Sequence, residues 1–212
     1  MKSKSTTSVR QMLCGMYCAA LVIQNVLATK TVDVFMFTVT TGVLMSPLVF
    51  ILQDVSSELY GYEKTKGMVL LSFAMNFVAV LMFQLAIMLP PSLSFNNQTA
   101  FASTLGSTLR ITCASFAAYL AGSLINSKVM VALKKKNKKH LFVRAITSTI
   151  AGQFCDNAIF SFFAFAFVLP VPVIWSMVFG ATLFEVLYEV LFYPITKQTI
   201  RLVSAIESKE EE

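Results

Sequence analysis

The chain has 212 residues and a formal net charge of +6, with 56% apolar and only 13% charged residues, about half the charged share of a soluble domain. Nineteen Phe, eleven Met and a mean hydropathy of +0.71 describe a chain whose solvent is lipid. That excludes a large soluble catalytic domain, a disordered chain and a disulfide-stapled secreted protein.

About 20 residues carry a helix across a bilayer, and six apolar segments follow one another at 12–28, 34–52, 68–89, 105–125, 145–168 and 171–195. The first trails a basic start (Lys2, Lys4, Arg10) in the manner of a signal peptide. Gln24 and Asn25 interrupt its apolar run, so it reads as a retained helix. In the second, Pro47 falls late and is expected to kink or break the helix. Pro90 and Pro91 end the third span. Pro170 and Pro172 make a tight turn between the last two, with Trp175 beside it as an interfacial anchor.

Basic residues alternate between the connections. Three lie before the first span, one in the first loop (Lys30), two in the second (Lys64, Lys66) and none in the third; seven lie in the fourth (Lys128 through the 134–139 run to Arg144), none in the fifth and three after the last span. By the positive-inside rule both termini, the second loop and the fourth loop are cytoplasmic. The expected fold is an all-α polytopic membrane protein of six transmembrane helices forming one domain. Three plus three spans also permit an inverted pseudo-repeat. The 134–139 lysine run then reads as a topology determinant against anionic headgroups, not as a nucleic-acid site.

Ionisable groups at membrane depth are costly, so each needs a partner or a task. Asp156 lies roughly 16 Å into the fifth segment at ~1.5 Å per residue, among Gln153, Asn157 and Gly152. Glu185 and Glu189 share one face of the sixth, with Tyr188 adjacent; Arg110 sits early in the fourth, and Asn25 and Asn76 add amides in the first and third. Asp54 and Glu58 stand one helical turn apart, where two like charges repel unless a proton, a cation or a hydrogen-bond donor joins them. Asp156, Glu185 and Glu189 together with the carboxamides Asn25, Asn76, Gln153 and Asn157 point to a site for a polar solute. Arg110 alone reads equally well as a structural ion pair.

Other chemistry is thin. The single histidine, His140, follows the lysine run, so no His-based dyad forms at membrane depth. No phosphate-binding glycine loop or metal-ligand spacing occurs, and Cys14, Cys18, Cys113 and Cys155 fall in apolar stretches as small hydrophobes. An enzyme, a cofactor and a metal site are not expected.

Asp54-Val-Ser-Ser-Glu58-Leu-Tyr60-Gly61 resembles the D-x-x-x-E-x-Y-G signature of the queuosine precursor transporter family, also called the vitamin uptake transporter family. The resemblance extends to Asn25, Pro47, Phe50, the Pro90-Pro91 pair, Arg110 and Arg144. It continues through the segment from Ser148 to Gly152, Gln153 and Asp156, which is similar to the family's S-x-x-x-G-Q-x-x-D. One departure is Glu185, where the family commonly carries Lys one turn before the acidic position of Glu189.

The resemblance implies import of a 7-deazaguanine base (the cyano or aminomethyl form, or queuine) across a bacterial inner membrane for tRNA queuosine modification. A guanine-like edge presents adjacent N–H donors that a carboxylate accepts in pairs. Asp156 with Glu58 or Asp54 are the expected acceptors, Asn25 and Gln153 the amide partners, and Tyr60 or Tyr188 the stacking ring. Expected partners are that small deazapurine and the bilayer, without nucleic acid, and with a homodimer left open. The competing reading is a substrate-capturing subunit that docks on an ATPase through small residues such as Ala114-x-x-x-Ala118.

Overall fold

The computed structural model describes residues 4–136 and 141–211. In chain order it runs α1 (Lys4–Leu27), a hairpin of β1 (Thr31–Val34) and β2 (Phe37–Thr40), a 3-10 turn (Thr41–Met45), α2 (Ser46–Tyr60), α3 (Tyr62–Met88), a short α4 (Gln98–Gly106), α5 (Thr108–Lys136), α6 (Leu141–Phe165) and α7 (Val171–Glu211). Among the described residues three helices are long and apolar enough to cross a membrane: Thr41–Tyr60, Glu63–Met88 and Val171–Ile206. His140 and the part of the lysine run at 137–139 lie outside the described residues.

The burial pattern of α3 is that of a helix in lipid. Leu70, Leu71, Met75, Val78, Leu81 and Met82 face outward, whereas Ser72 and Asn76 are buried with Val69, Phe73 and Val80. Water would demand the reverse; lipid solvates the apolar face and leaves polar groups to be satisfied within the bundle. Ser72 meets Cys18 of α1 at 3.0 Å.

Two apolar clusters hold the bundle, one toward each end. At the Gly61 end, Leu13 and Tyr17 of α1 pack with Leu52 and Val55 of α2 and with Met68, Val69 and Phe73 of α3, flanked by Ile200 and Val203 of α7. At the Pro170 end, Ala28 packs with Ile111 and Ala114 of α5, Ala164 and Phe165 of α6, and Ile174 and Met177 of α7. The long helices therefore alternate in direction, and the space between the two clusters lies midway along the bundle.

The second apolar segment departs from the expected continuous helix at 34–52. Seven of the eleven residues from Thr31 to Thr41 are Thr or Val, side chains that fit a pleated strand better than a helical turn. They form the antiparallel hairpin, with Thr31 opposite Thr40 and Val34 opposite Phe37. Asp33 accepts the Thr38 hydroxyl across the strands at 2.7 Å. A hairpin among apolar helices must give its backbone groups to protein, and the Thr38 N–H donates to Ser176 Oγ of α7 at 3.0 Å. Gly180 makes that approach possible, since a Cβ there would stand 2.7 Å from Phe37 Cβ.

Pro47 accordingly opens α2 rather than kinking it, a position where its missing N–H costs nothing. Gly42 brings the 3-10 turn so close to α1 that a Cβ would lie 2.8 Å from the Gln24 carbonyl oxygen. Gly61, at φ 79, reverses the chain from α2 into α3, a conformation reserved for glycine. The short α4 precedes the fourth apolar segment, inside the connection that the apolar pattern predicts to be loop.

Candidate functional site

A cavity of about 370 Å³ occupies the middle of the bundle, with walls from α1, the hairpin and 3-10 turn, α2, α3, α5, α6 and α7. Its volume is that of a small-molecule site. The linings follow helical periodicity: Tyr17, Leu21, Gln24, Asn25 and Ala28 on α1; Ser115, Tyr119, Gly122 and Ser123 on α5; Thr149, Gly152, Gln153, Asp156 and Asn157 on α6. Each is a stripe at spacings of three and four residues, one face of one helix.

Four carboxylates line the cavity: Asp54 of α2, Asp156 of α6, and Glu185 and Glu189 of α7. No Lys, Arg or His does so among the described residues. Asp156 and Glu185 stand within electrostatic reach of each other, as do Asp54 and Glu189. Among the described residues, Glu185 is the one of the four that receives a hydrogen bond from protein, from Asn157 Nδ2 to Oε2 at 2.6 Å. The same amide reaches Thr182 Oγ1 at 3.3 Å, and that hydroxyl donates to the Val178 carbonyl at 2.7 Å. Opposite them, the Tyr17 hydroxyl donates to Gln53 Oε1 at 3.1 Å and fixes that amide on the cavity wall.

Asn25 lines the cavity with only 3% of its surface exposed, and its Nδ2 has no protein partner. A buried donor of this kind costs about 1–3 kcal/mol. On the α5–α6 wall the two helices pack closely at Gly122. A Cβ on Gly122 would stand 2.9 Å from Asp156 Cβ and 3.0 Å from the Gly152 carbonyl oxygen, so this close packing presses α5 against the carboxylate-bearing turn of α6.

The structure brings together seven of the sequence-predicted residues, namely Asn25, Asp54, Gln153, Asp156, Asn157, Glu185 and Glu189. It places the other five elsewhere. Arg110 donates from Nε to the Phe163 carbonyl (2.8 Å) and from Nη2 to the Ala166 carbonyl (2.6 Å), closing the end of α6. Its partners are backbone acceptors at a helix C-terminus, where a cation is favoured, rather than a carboxylate. Asn76 is buried on α3 with an unpartnered Nδ2, away from the cavity. Glu58 lies one turn beyond Asp54 and is exposed, and Tyr60 packs on the apolar cluster at the Gly61 end.

Tyr188 lines a second, smaller cavity of about 140 Å³ between α2 and α7, with Pro47, Phe192, Tyr193 and Thr196. Phe50, Asp54 and Glu189 line both cavities. Sequence reasoning missed Tyr17, Gln24, Ser115, Tyr119 and Ser123. The available signal was their i, i+4, i+7, i+8 recurrence as polar stripes on otherwise apolar helices.

A cavity lined by carboxylates and carboxamides midway along a bundle with apolar outer faces suits a membrane transporter. The chain belongs to the family described as "Putative vitamin uptake transporter", whose model matches residues 40–198. It is 28% identical over 165 residues to the "Probable queuosine precursor transporter" of Bacillus subtilis (strain 168), covering 77% of this chain and 72% of that protein. No solved structure matches the chain.

Proposed function

We propose that the chain crosses the bacterial inner membrane six times, with both termini cytoplasmic, and imports a 7-deazaguanine precursor of queuosine. The observation that carries this reading is the central cavity, whose carboxylates and carboxamides suit a flat base rich in N–H donors. The name of the Bacillus subtilis relative supports the substrate class. Alternating helix directions and the alternation of basic residues between connections support the topology.

In this reading Asp156 accepts a pair of N–H groups from the base. Gln153 and Asn25 complete the edge; the unpartnered Nδ2 of Asn25 supplies the donor that a base carbonyl or ring nitrogen requires. Tyr17, Phe50 and Phe160 offer ring faces to the flat ligand. α2 and α6, each the middle helix of three long ones, both present a Gln and an Asp to the cavity. That supports a 3+3 pseudo-repeat and release by rocking of the two halves.

The small residues that suggested docking on an ATPase, Ala114 and Ala118, are 0% and 1% exposed. They belong to the bundle interior, which favours transport by the chain alone. The test is queuosine in the tRNA of a host lacking its own precursor uptake and synthesis. Expression of this chain with supplied precursor restores the modification, and Asp156→Asn reaching the membrane in equal amount does not. No restoration from well-expressed wild-type chain overturns the proposal.

A further inference from the structure

We infer that the β1–β2 hairpin is the gate on the Pro170 side of the central cavity, opening by leaving α7. The inference rests on the transporter reading above and adds to it the element that moves. The first observation is that the lining of the cavity differs between its two ends. Toward the Gly61 end, Asp54 and Glu189 line it and are exposed. Toward the Pro170 end, Ala28, Val39 and Met177 line it and are almost wholly buried. Val39 belongs to β2, and Met177 and Ala181 flank Gly180 on α7. The seam between hairpin and α7 is therefore part of the closed wall.

The second observation is how the hairpin sits on α7. The Thr38 N–H donates to Ser176 Oγ at 3.0 Å, and Ser176 gives its own proton to the Met36 carbonyl at 3.4 Å. Phe37 and Val39 rest on Gly180, where a Cβ would stand 2.7 Å from Phe37 Cβ and 3.0 Å from Val39 Cγ1. Small residues let two backbones approach closely inside a membrane. One serine and one glycine thus seat the strand, and both contacts part without breaking α7.

The third observation is that the hairpin's other bonds stay within itself and with the end of α1. Its ladder runs from Thr31 opposite Thr40 to Val34 opposite Phe37, and Asp33 accepts the Thr38 hydroxyl at 2.7 Å. At its base the Thr41 N–H donates to the Lys30 carbonyl at 2.8 Å, and the Thr41 hydroxyl to the Leu27 carbonyl at 2.6 Å. All of these survive if the hairpin swings about that base as one piece. A lone two-stranded hairpin has little stability in isolation, so its place depends on the surface it rests against. Its tip is free to move, since Phe35 and Met36 are 96% and 82% exposed.

A disulfide between Phe37→Cys and Gly180→Cys tests the gate in the full-length chain. Bridged Cβ atoms stand about 3.5–4.5 Å apart, so the bridge forms with the hairpin seated on α7. The probe is whichever of labelled cyano deazaguanine, aminomethyl deazaguanine and queuine the wild-type chain carries into proteoliposomes. If it carries none, the transporter reading falls, and the inference with it. Oxidation of the double variant should lower uptake about tenfold or more, with recovery on reduction. Each single variant, oxidised in parallel, should keep its uptake. Binding of the same base by the bridged chain in detergent should stay within about threefold of the reduced chain, because the Gly61 end is open. Complete bridging with unchanged uptake overturns the inference while leaving transport intact. So does loss of binding together with uptake, which makes the hairpin a wall of the site and not its gate. Thiols that fail to bridge in the folded chain place the hairpin away from α7 and overturn it as well. Should the double variant not fold, Ser176→Ala replaces it. Amide exchange at 36–40 should then rise about threefold or more and the uptake rate change about twofold or more. Unchanged exchange, or faster exchange with unchanged uptake, overturns the inference.

Discussion

Two polar regions of the bundle behave in opposite ways. At the end of α6, Arg110 finds its partners within the chain, in the carbonyls of Phe163 and Ala166. In the central cavity, three of the four carboxylates receive no hydrogen bond from the protein among the described residues, and Asn25 holds an unpartnered donor. The arginine completes the fold; the carboxylates face a space of ligand size. A charged residue in an apolar segment is therefore not by itself a mark of function. What distinguishes the two regions is whether the chain already satisfies the group.

That contrast breaks first at Asp156. Asp156→Asn should lower uptake by roughly 10–100-fold through loss of a charge-assisted acceptor, while thermal melting stays near wild type. A large loss of folded protein with unimpaired transport by the remainder would make Asp156 structural instead. Gly122→Val should lower both stability and uptake, since the added side chain must part α5 from α6 where a Cβ already meets Asp156 at 2.9 Å. Overpacking of this kind costs about 1–3 kcal/mol, readable as a lowered melting temperature in detergent.

Arg110→Gln sharpens the comparison from the other side. It should cost about 1–2 kcal/mol of stability at the α6 terminus and leave uptake per folded molecule within about twofold of wild type. Glu58→Gln is the mildest change. Exposed beyond the cavity, it should alter stability by less than about 0.5 kcal/mol, and a larger effect on initial uptake rates would extend the ligand path past the end of α2.

The helical membrane character of the chain was legible because apolar length is a property of segments. The hairpin was not: its Thr and Val residues raise hydropathy as a helix would, and only their β-branching separates 31–41 from a span. The candidate site was legible in depth but not in direction around each helix. Arg110 is five residues from Ser115 on α5, which turns it about 140° away from the cavity-lining face at ~100° per residue. Glu58 shares a face with Asp54 but lies one turn past the cavity. Asp156, Gln153, Asn157, Glu185 and Glu189 fell together because α6 and α7 each present one stripe toward the bundle centre. The Asn157–Glu185 bond and the Gly122–Gly152 approach depend on how helices meet, which segment composition does not encode.

The most direct test is uptake of labelled aminomethyl deazaguanine into proteoliposomes containing only this chain, measured side by side for wild type, Asp156→Asn and Arg110→Gln and normalised to folded protein. Uptake by the wild type and Arg110→Gln, with loss in Asp156→Asn, is the predicted result. Transport that survives Asp156→Asn and disappears in Arg110→Gln would contradict the assignment of the cavity as the ligand site.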